Sequence, residues 1–461
     1  MFSRGVSSEI LDGRRVVVVG FARQGQALAR WLPSTGARVV VTDQREAYEI
    51  DVPLEDFPRV SFVFGGHPTE LLSATDLVCV SGGVPLNIPF LQEARERNIP
   101  ITNDAQLFLE RCPAPIIGIT GSAGKTTTTT LVAEMCKRAG MTTWVGGNIG
   151  NVLLDVMMGI RPQHQVVMEL SSFQLELCLA SPPIGAILNI TPNHLDRHGT
   201  MHDYIRAKAN IIAHQTADDI TILGRDDPMT RVLEPVVKGQ LVWFSRREMV
   251  SDGAFMIGSR LAVTGLSSPD GEPHILCDVS EIPLRGDHNV LNVLAAGAIA
   301  GAAGVSPEEM IEVIRSFKPV PHRLETVRVL DGVTYVNDSI ATAPERVLAA
   351  LNSYTEPIVL IAGGADKKLS WDEMLTLARH KTRHIIAFGR DGDIVVETMK
   401  RLFGHAQNVT RVQLLEEAVA LAKKLAQSGD VVLLSPGGTS YDAYKDFAQR
   451  GEHFCELVMT L

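Results

Sequence analysis

The stretch that decides the fold runs from Pro115 to Gly140 and reads PIIGITGSAGKTTTTTLVAEMCKRAG. Its apolar start, PIIGIT, is followed by a glycine-rich turn and by a pattern typical of a helix that ends at Gly140. Small residues in such a turn let consecutive backbone N–H groups face a phosphate at the N-terminus of a helix. The stretch therefore predicts a buried strand, a phosphate-binding loop and a helix.

Within this loop the residues Gly118-Ile-Thr-Gly-Ser-Ala-Gly-Lys-Thr126 indicate a nucleotide. Lys125 would neutralise terminal phosphates, and Thr126 would offer its hydroxyl to Mg²⁺, which prefers hard oxygen ligands. A strict G-x-x-x-x-G-K-T motif would require glycine at position 119, where this chain has Ile119, so the loop is a variant. We predict ATP or a similar nucleotide here in preference to a plain strand–helix turn.

The composition bounds the class of protein. A chain of 461 residues with 45% hydrophobic content predicts roughly three domains. A net charge of −10 without a long basic run argues against nucleic-acid binding. Apolar runs are far shorter than the roughly 20 residues of a membrane span, and MFSRGVSSEILDGRR lacks a secretory apolar segment. Six cysteines without CxxC spacing argue against a zinc cluster. We expect a cytoplasmic enzyme without membrane insertion.

The chain before this loop begins with a βαβ pattern: RRVVVVG, FARQGQALARWLPSTGA and RVVVTD. Its turn, Gly20 to Gly25, reads G-x-A-x-x-G and lacks the second glycine of a dinucleotide fingerprint. Asp43 ends the second strand, where it would bind a ribose or base edge or simply form a turn. An NAD-dependent oxidoreductase would predict the intact fingerprint and would leave TGSAGKTTT unexplained.

We predict an α/β protein of three domains, with boundaries at residues 1–111, 112–320 and 321–461. The stretch from Gly239 to Pro283 indicates a small β-rich extension, and a helix is predicted after Asn289. Pro319-Val320-Pro321 predicts a stiff junction before the last domain. In that domain the apolar strands TYVNDS, PIVLIAGG, HIIAFG and VVLLSPGG, separated by helical stretches, predict a parallel sheet.

Polar residues follow several predicted strands. Glu169 ends QVVMEL, at the strand end where α/β sheets bind ligands, and is interpreted as a metal ligand or, alternatively, as a helix cap. The loop Asn193 to His198 combines imidazole, carboxylate and guanidinium groups, and His194 would bind a metal or orient an acyl phosphate. Lys208 lies on a predicted helix, where most lysines are solvated.

These motifs together resemble the Mur ligases, and the match covers essentially all 461 residues. The matching segments, in family order, are TGSAGKTTT, ELSSFQLE, NHLDRH, His288-Asn289-Val290-Leu291-Asn292, His322-Arg323 and SPGGTSYDAYKDFAQRGEHF. The resemblance implies a Rossmann-like N-terminal domain, a P-loop-type central ATPase domain and a Rossmann-like C-terminal domain. It also implies a monomer that joins glutamate, specifically D-glutamate, to UDP-N-acetylmuramoyl-L-alanine through an acyl phosphate, with ATP and two Mg²⁺ ions.

The resemblance also implies roles for individual residues. Catalysis would fall to Lys125, His194 and Lys208. ATP would be bound by Gly121, Ser122, Gly124, Lys125, Thr126, Thr127, Asn289, Asn292, Arg323 and Asp338. The UDP substrate would contact Gly20, Asp43, Arg45, Ser81, Gly82, Asn148, Gln174 and His194. The amino acid would contact Thr342, Lys367, Ser440 and Phe447. The metal ions would be held by Thr126, Glu169, Ser171, His194 and a carbamylated Lys208.

Departures from the common family pattern lie in the last domain. Where NDSKATN is common, this chain has Ile340 in place of lysine and Ala343 in place of asparagine, and Gly437-Gly438-Thr439 replaces an alanine-cysteine-alanine run. L-Glutamate or another acidic amino acid therefore stays an alternative to D-glutamate. A non-catalytic nucleotide-binding regulator would need no cluster of acids, histidine and lysine at the loop. A folate polyglutamate ligase would have no reason to carry the first domain.

Overall fold

The computed structural model describes residues 11–50, 52–284, 286–318, 321–367 and 369–461, apart from the side chain of Asp196. Pro319 and Val320, on which the predicted junction falls, lie outside these ranges. So do residues 1–10, which make up most of the N-terminal stretch that we expect not to be a secretory signal.

The described residues form helices and strands in an alternating order. The strands are β1 Arg15–Val19, β2 Arg38–Thr42, β3 Val60–Val63, β4 Leu77–Val80, β5 Ile101–Thr102, β6 Ile116–Thr120, β7 Thr143–Gly147, β8 Gln165–Glu169, β9 Ile184–Ile187, β10 Ile220–Gly224, β11 Gln240–Ser245, β12 Gly253–Ile257, β13 Arg260–Gly265, β14 Gly271–Asp278, β15 Glu325–Leu330, β16 Val333–Asn337, β17 Ile358–Gly363, β18 Thr382–Phe388, β19 Val409–Arg411 and β20 Val431–Gly437. The helices are α1 Arg23–Trp31, α2 Pro89–Glu96, α3 Asp104–Arg111, α4 Lys125–Arg138, α5 Leu153–Val156, α6 Ser172–Leu175, α7 Leu195–His198, α8 Met201–Ala213, α9 Pro228–Arg231, α10 Asp287–Ala302, α11 Pro307–Ser316, α12 Pro344–Asn352, α13 Asp372–Lys381, α14 Asp393–Phe403, α15 Leu415–Leu425 and α16 Phe447–Met459.

The strands pair into three sheets. The first has the order β3-β2-β1-β4-β5 and is parallel throughout. The second has the order β14-β13-β12-β11-β10-β9-β6-β8-β7, and the third has the order β15-β16-β20-β17-β18-β19. Each sheet falls within one of the three predicted segments, and the prediction of an α/β fold is confirmed.

The chain divides into two compact units. The first contains the described residues up to Ile282 together with Val290–Ser316, and the second contains Pro283–Asn289 together with Phe317–Leu461. In the first unit, one apolar cluster includes residues of both the first and the second sheet. Polar contacts add to it: the Asn103 amide donates to the Gln174 carbonyl over 2.7 Å, and Arg30 pairs with Asp155 over 2.8 Å.

In the second unit the sheet is buried on both faces. Along β17, Leu360 and Ala362 join one apolar cluster while Val359 and Ile361 join the other. Successive side chains of a strand point to opposite faces, and a strand buried on both faces reads as a continuous apolar run. This explains the sequence IVLIAG, which is buried throughout.

Two glycines of the first turn are required by its geometry. Gly20 has a φ of +89°, which side chains other than glycine rarely adopt. A Cβ at Gly25 would lie 1.9 Å from the Gly20 carbonyl oxygen, so α1 approaches β1 too closely for any other residue. The residue at the middle position of the fingerprint, Ala22, precedes α1 in an extended conformation with a φ of −80°, so this position needs no glycine for its backbone.

Two parts of the sheets differ in strand direction from the rest. The predicted β-rich extension forms β11 to β14, and its last pairs, β12–β13 and β13–β14, are antiparallel. The third sheet, predicted as parallel, opens with the antiparallel pair β15–β16. Asp331 and Gly332 connect these two strands with φ values of 51° and 77°. Positive φ at both central residues is typical of a two-residue hairpin turn, which Asp-Gly favours.

Among the described residues, no helix is long and apolar enough to cross a membrane.

Candidate active site

The loop between β6 and α4 has the geometry expected of a phosphate-binding loop. Gly124 precedes α4 with a φ of +83°. A Cβ there would lie 2.2 Å from Oδ1 of Asn292, so the glycine is required both by its backbone conformation and by the nearby amide. The first N–H groups of a helix have no partner within the helix and form, together with its dipole, a site for an anion.

The loop is held in place by residues from the ends of neighbouring elements. The Ser122 N–H donates to the Asn189 carbonyl over 2.9 Å, and the Ala123 N–H donates to Asn189 Oδ1 over 2.9 Å. The Ser122 hydroxyl lies 2.9 Å from the Tyr204 hydroxyl. The Lys125 ammonium donates to the Gly121 carbonyl over 2.9 Å, which keeps its charge beside the loop.

Thr126 and Glu169 lie together beside this loop. The Thr126 hydroxyl donates to Oε2 of Glu169 over 2.9 Å, and the Asn148 amide donates to Oε1 over 2.8 Å. Glu169, at the end of β8, is only 1% exposed. Both of these donors are neutral, so neither cancels the charge of the Glu169 carboxylate. The carboxylate and the Thr126 hydroxyl offer hard oxygen atoms of the kind that Mg²⁺ prefers. The donor set therefore fits the predicted metal site.

Lys208 is a buried lysine at the same loop. Its side chain is on α8, is 1% exposed, and donates to the Gly121 carbonyl over 2.9 Å. Burial lowers the pKa of Lys208 well below its usual value, repulsion from Lys125 lowers it further, and attraction to Glu169 acts in the opposite sense. An uncharged amine is the form that can react with CO₂ to give a carbamate, so the environment is suited to the predicted modification.

Ser171 and Gln174 form a capping box at the start of α6. The Ser171 hydroxyl accepts from the Gln174 N–H over 3.2 Å, and the Gln174 side-chain oxygen accepts from the Ser171 N–H over 3.1 Å. The Gln174 amide also donates to Asp104 over 3.2 Å and is 1% exposed. The described hydrogen bonds of Gln174 thus hold α6 and α3 together, and its predicted contact with the UDP substrate stays a prediction.

His194, the second residue of the loop NHLDRH, has a left-handed conformation with a φ of 54°. Its ring lies edge-on to Phe173, with centroids 5.0 Å apart. The ring of His198 stacks on Phe173 over 5.3 Å, and the Arg197 guanidinium lies 3.9 Å from the centroid of the same ring. His194 is exposed, whereas His198 is buried and hydrogen-bonded to Ser172. Of the two imidazoles, His194 is therefore the one that solvent reaches.

The carboxyl ends of the first sheet hold an acid with strong partners. The Asp43 carboxylate accepts from the Phe21 N–H over 2.5 Å, from the Arg45 N–H over 2.9 Å and from the Arg45 guanidinium over 3.0 Å. Burial would raise the pKa of Asp43, but these hydrogen bonds hold it at about 2. The carboxylate is ionised near neutral pH and orders the turn that follows β2. Ser81, which follows β4, is buried beside Gly20, which follows the neighbouring strand β1.

A contact within the first unit links the start of α1 to the metal-ligand candidates. Arg23, the first residue of α1, donates to the Asn148 carbonyl over 2.9 Å and to the Gly150 carbonyl over 3.1 Å. The Asn148 side chain in turn donates to Glu169. This role was not predictable from the sequence, because Arg23 occupies a variable position of the glycine fingerprint.

The second unit places several predicted residues at the carboxyl ends of its strands. The Asp338 carboxyl, which follows β16, accepts from the Ser435 hydroxyl over 2.8 Å and from the Leu324 N–H over 3.2 Å. The Lys367 ammonium, after β17, donates to the Thr342 hydroxyl over 3.2 Å.

The remaining predicted residues of this unit surround the same strand ends. Ser440 is buried after β20, and its carbonyl accepts from the Tyr444 N–H over 2.8 Å. The Phe447 carbonyl accepts from the Ser339 hydroxyl over 2.8 Å, and its ring lies 6.2 Å from the ring of His322. Because β16, β20 and β17 are parallel neighbours, the loops that follow them lie at one edge of the sheet. Asn289, elsewhere in this unit, is also buried.

Asp338 leads to a prediction about stability and pH. Burial raises the pKa of Asp338 to about 7, against hydrogen bonds from Ser435 and Leu324 that lower it. An unfolded aspartate titrates near pH 4, so between about pH 4 and pH 7 the folded chain holds a proton that the unfolded chain releases. This group therefore costs stability as the pH rises through that range.

We expect the free energy of unfolding of the wild type, relative to Asp338→Asn, to fall by about 3 kcal/mol between about pH 4.5 and pH 8. Denaturant unfolding of both full-length proteins at each pH measures the difference. A difference that does not vary with pH would contradict the assignment of this shift to Asp338.

Comparison with known proteins identifies the family. Residues 14–103 match the Mur ligase MurD-like N-terminal domain, residues 119–300 match the Mur ligase middle domain, and residues 322–438 match the Mur ligase glutamate ligase domain. The chain belongs to the Mur ligase family. The UDP-N-acetylmuramoylalanine–D-glutamate ligase of Pelotomaculum thermopropionicum is 40% identical to this Mur ligase over 97% of the chain and 98% of the relative. The enzyme of the same name from Symbiobacterium thermophilum is 41% identical, with the same coverage.

Solved structures agree on the fold. The UDP-N-acetylmuramate–alanine ligase of Thermotoga maritima has a TM-score of 0.60 at 21% identity, covering 97% of this Mur ligase and 99% of that chain. The MurF ligase of the same organism, solved in complex with ADP, has a TM-score of 0.57 at 19% identity, covering 98% and 96%. The three-domain Mur ligase fold predicted from the sequence is confirmed.

Sequence reasoning found most of the polar residues around the loop of this Mur ligase but missed their supports. Asn189, which accepts two loop N–H groups, interrupts the apolar stretch GAILNIT just after β9. A polar residue inside such a stretch was a usable signal. Tyr204 gave none, because a tyrosine on a predicted helix is more often a core residue.

Proposed function

We propose that this Mur ligase joins D-glutamate to UDP-N-acetylmuramoyl-L-alanine in the synthesis of peptidoglycan precursors, with conversion of ATP to ADP and phosphate. The observation that carries the proposal is the loop before α4, which combines the N-terminus of that helix with Lys125, Thr126, Glu169 and Lys208. About 40% identity to enzymes named for this reaction, over nearly the whole chain, supports the same substrates.

The chemistry explains why cations are needed at the loop. The carboxylate of the UDP substrate attacks the γ-phosphate of ATP, which releases ADP and leaves an acyl phosphate. The amine of glutamate then attacks the acyl carbon, and phosphate leaves as the amide forms and the amine loses a proton. Because the first step joins two anions, positive charge must lie between them. Lys125 supplies a fixed cation at the loop.

We assign Mg²⁺ to the oxygen atoms of Thr126 and Glu169, with Ser171, His194 and a carbamylated Lys208 completing the ligands of two ions. When bound, Mg²⁺ neutralises phosphate charge. The chain's own contribution is to hold these ligands: Asn148 orients the Glu169 carboxylate, and the capping box fixes Ser171. Thr120 and Gly121 hold the Lys208 amine from the loop side.

The other predicted residues are assigned by unit. ATP contacts are proposed for Gly121, Ser122, Gly124, Thr127 and Asn292 in the first unit and for Asn289, Arg323 and Asp338 in the second. Contacts with the UDP substrate are proposed for Gly20, Asp43, Arg45, Ser81, Gly82, Asn148, Gln174 and His194. Contacts with the amino acid are proposed for Thr342, Lys367, Ser440 and Phe447. We further propose domains at 1–111, 112–320 and 321–461 and a monomer that acts in the cytoplasm.

Phosphate release tests the proposal. The enzyme is incubated with ATP, Mg²⁺ and UDP-N-acetylmuramoyl-L-alanine, with D-glutamate, L-glutamate, D-aspartate or no amino acid, and the product is weighed by mass spectrometry. We expect release that depends on D-glutamate, with a product one glutamyl unit heavier. Phosphate release with L-glutamate or D-aspartate but not with D-glutamate would support a ligase with a different amino-acid specificity. If no phosphate is released with any of the three amino acids, the proposal is contradicted.

A further inference from the structure

Arg450 is a buried cation whose hydrogen bonds all end on neutral oxygen atoms. It lies on α16, is 0% exposed, and donates to the Ser339 hydroxyl and carbonyl over 2.9 Å each. It also donates to the carbonyls of Thr439 over 3.1 Å and Gly438 over 3.3 Å. Asp442 attracts its charge without a hydrogen bond. Arg450 therefore fastens the loop after β16 to the loop after β20, and no carboxylate in the described part of the chain pairs directly with it.

Two further cations border the same loops. Arg346, exposed on α12, donates to the Ile340 carbonyl over 3.0 Å. Lys367 donates to the Thr342 hydroxyl over 3.2 Å. The pKa of Lys367 is lowered first by the loss of surrounding water and then by repulsion from Arg346 and Arg450, so the three charges are close enough to act on one another. Neither of the two has an ion-pair partner among the described residues.

Asp338 is an acid whose charge interacts with this cation cluster, which consists of Arg346, Lys367 and Arg450. Asp338 is buried, and its carboxyl is held by the Ser435 hydroxyl. Burial raises its pKa to about 7, so near neutral pH a large fraction of it carries a proton. Arg346 and Lys367 therefore keep positive charge beside Thr342 that an anionic ligand would balance.

Resting on the proposed function, we propose that Arg346 binds a carboxylate of the incoming amino acid and selects a dicarboxylic over a neutral one, while Arg450 acts as a positioning residue behind it. The form of glutamate that attacks has an uncharged amine and two carboxylates, and hence two negative charges. Three cations around one site match that charge better than they match a neutral side chain. The same cations disfavour a protonated amine nearby and so favour the nucleophilic form.

Substitution of Arg346 tests the proposal, because its exposed side chain can be changed without disturbing the core. We expect Arg346→Met to raise the KM for glutamate about tenfold, as the loss of one charge-assisted hydrogen bond predicts. The KM values for ATP and for the UDP substrate should stay unchanged, and Arg346→Lys should lie between Arg346→Met and the wild type. The ratio of kcat/KM for glutamate to kcat/KM for glutamine should fall in Arg346→Met.

Arg379→Met is the matched control. Arg379 is also exposed on a helix of the second unit, where it lies 4.2 Å from the ring centroid of Phe403. The variant Arg379→Met should leave the KM values for glutamate, ATP and the UDP substrate unchanged. A KM for glutamate in Arg346→Met equal to that of Arg379→Met would overturn this inference while leaving the ligase proposal intact. No turnover by the wild type with any amino acid would overturn both.

Discussion

Replacing Lys208 by methionine is expected to lower the rate of phosphate release by roughly a thousandfold, the effect of removing a group that stabilises charge in a transition state. The physical reason is the state of this lysine. Its side chain is 1% exposed, and burial lowers its pKa well below the usual value, which favours the uncharged amine that carbamylation needs. Methionine matches its volume closely and cannot become a carbamate.

The modification can be separated from a purely structural role. Wild-type enzyme freed of CO₂ should lose activity and recover it when bicarbonate is added, whereas Lys208→Met should respond to neither treatment. Lys137→Met is the control, because Lys137 is exposed on α4 and pairs only with Glu134. Full activity of the wild type in the absence of CO₂ would refute carbamylation. If Lys208→Met loses so much thermal stability that unfolding accounts for its lost activity, Lys208 has a packing role instead.

The phosphate loop and its helix were predictable from local sequence. Gly124 must adopt a positive φ, and the residues around it must be small, so the pattern that the geometry requires is written in consecutive positions. The same holds for Gly20 and Gly25, where the backbone leaves no room for a side chain. Such positions depend on neighbours in the chain, which a single sequence displays.

The buried cations were not predictable in this way. Lys208 and Arg450 both lie on helices, where long charged side chains are usually solvated. Their burial depends on elements distant in the chain: the loop before α4 covers Lys208, and the loops after β16 and β20 cover Arg450. The family resemblance implied a role for Lys208, whereas Arg346 and Arg450 had no signal other than their charge. Contacts between elements that are distant in the chain are not visible in a single sequence.

The structure gives a physical reason for some of the positions at which this chain departs from the common Mur ligase pattern. Ile340 carries no charge of its own, but its carbonyl accepts from Arg346 on the following helix. Gly437 has a φ of +76°, and a Cβ there would lie 2.9 Å from the Trp371 ring, so this glycine follows from packing. Part of the difference from the common family pattern thus reflects the local backbone, while Ile340 lies beside a cation, Arg346, on α12.

Glu169→Gln is expected to lower kcat by a factor of about a hundred to a thousand and to raise the Mg²⁺ concentration for half-maximal activity at least roughly tenfold. Glutamine has the same shape, and its side-chain oxygen can still accept one hydrogen bond. The Thr126 hydroxyl can turn to accept from the new amide, so the strand end and the loop should keep their positions. The change therefore removes negative charge and one oxygen ligand with little effect on packing.

The Mg²⁺ dependence distinguishes a metal ligand from a structural carboxylate. Glu134→Gln is the control, because the Glu134 side chain is 45% exposed on α4 and, among the described residues, forms an ion pair with Lys137 alone. Initial rates are measured against Mg²⁺ concentration at saturating ATP for the three proteins, together with their thermal stability. If Glu169 only orders Asn148 and Thr126, its variant will lose rate at every Mg²⁺ concentration alike. A shift along the Mg²⁺ axis with unchanged stability would assign the carboxylate to the metal.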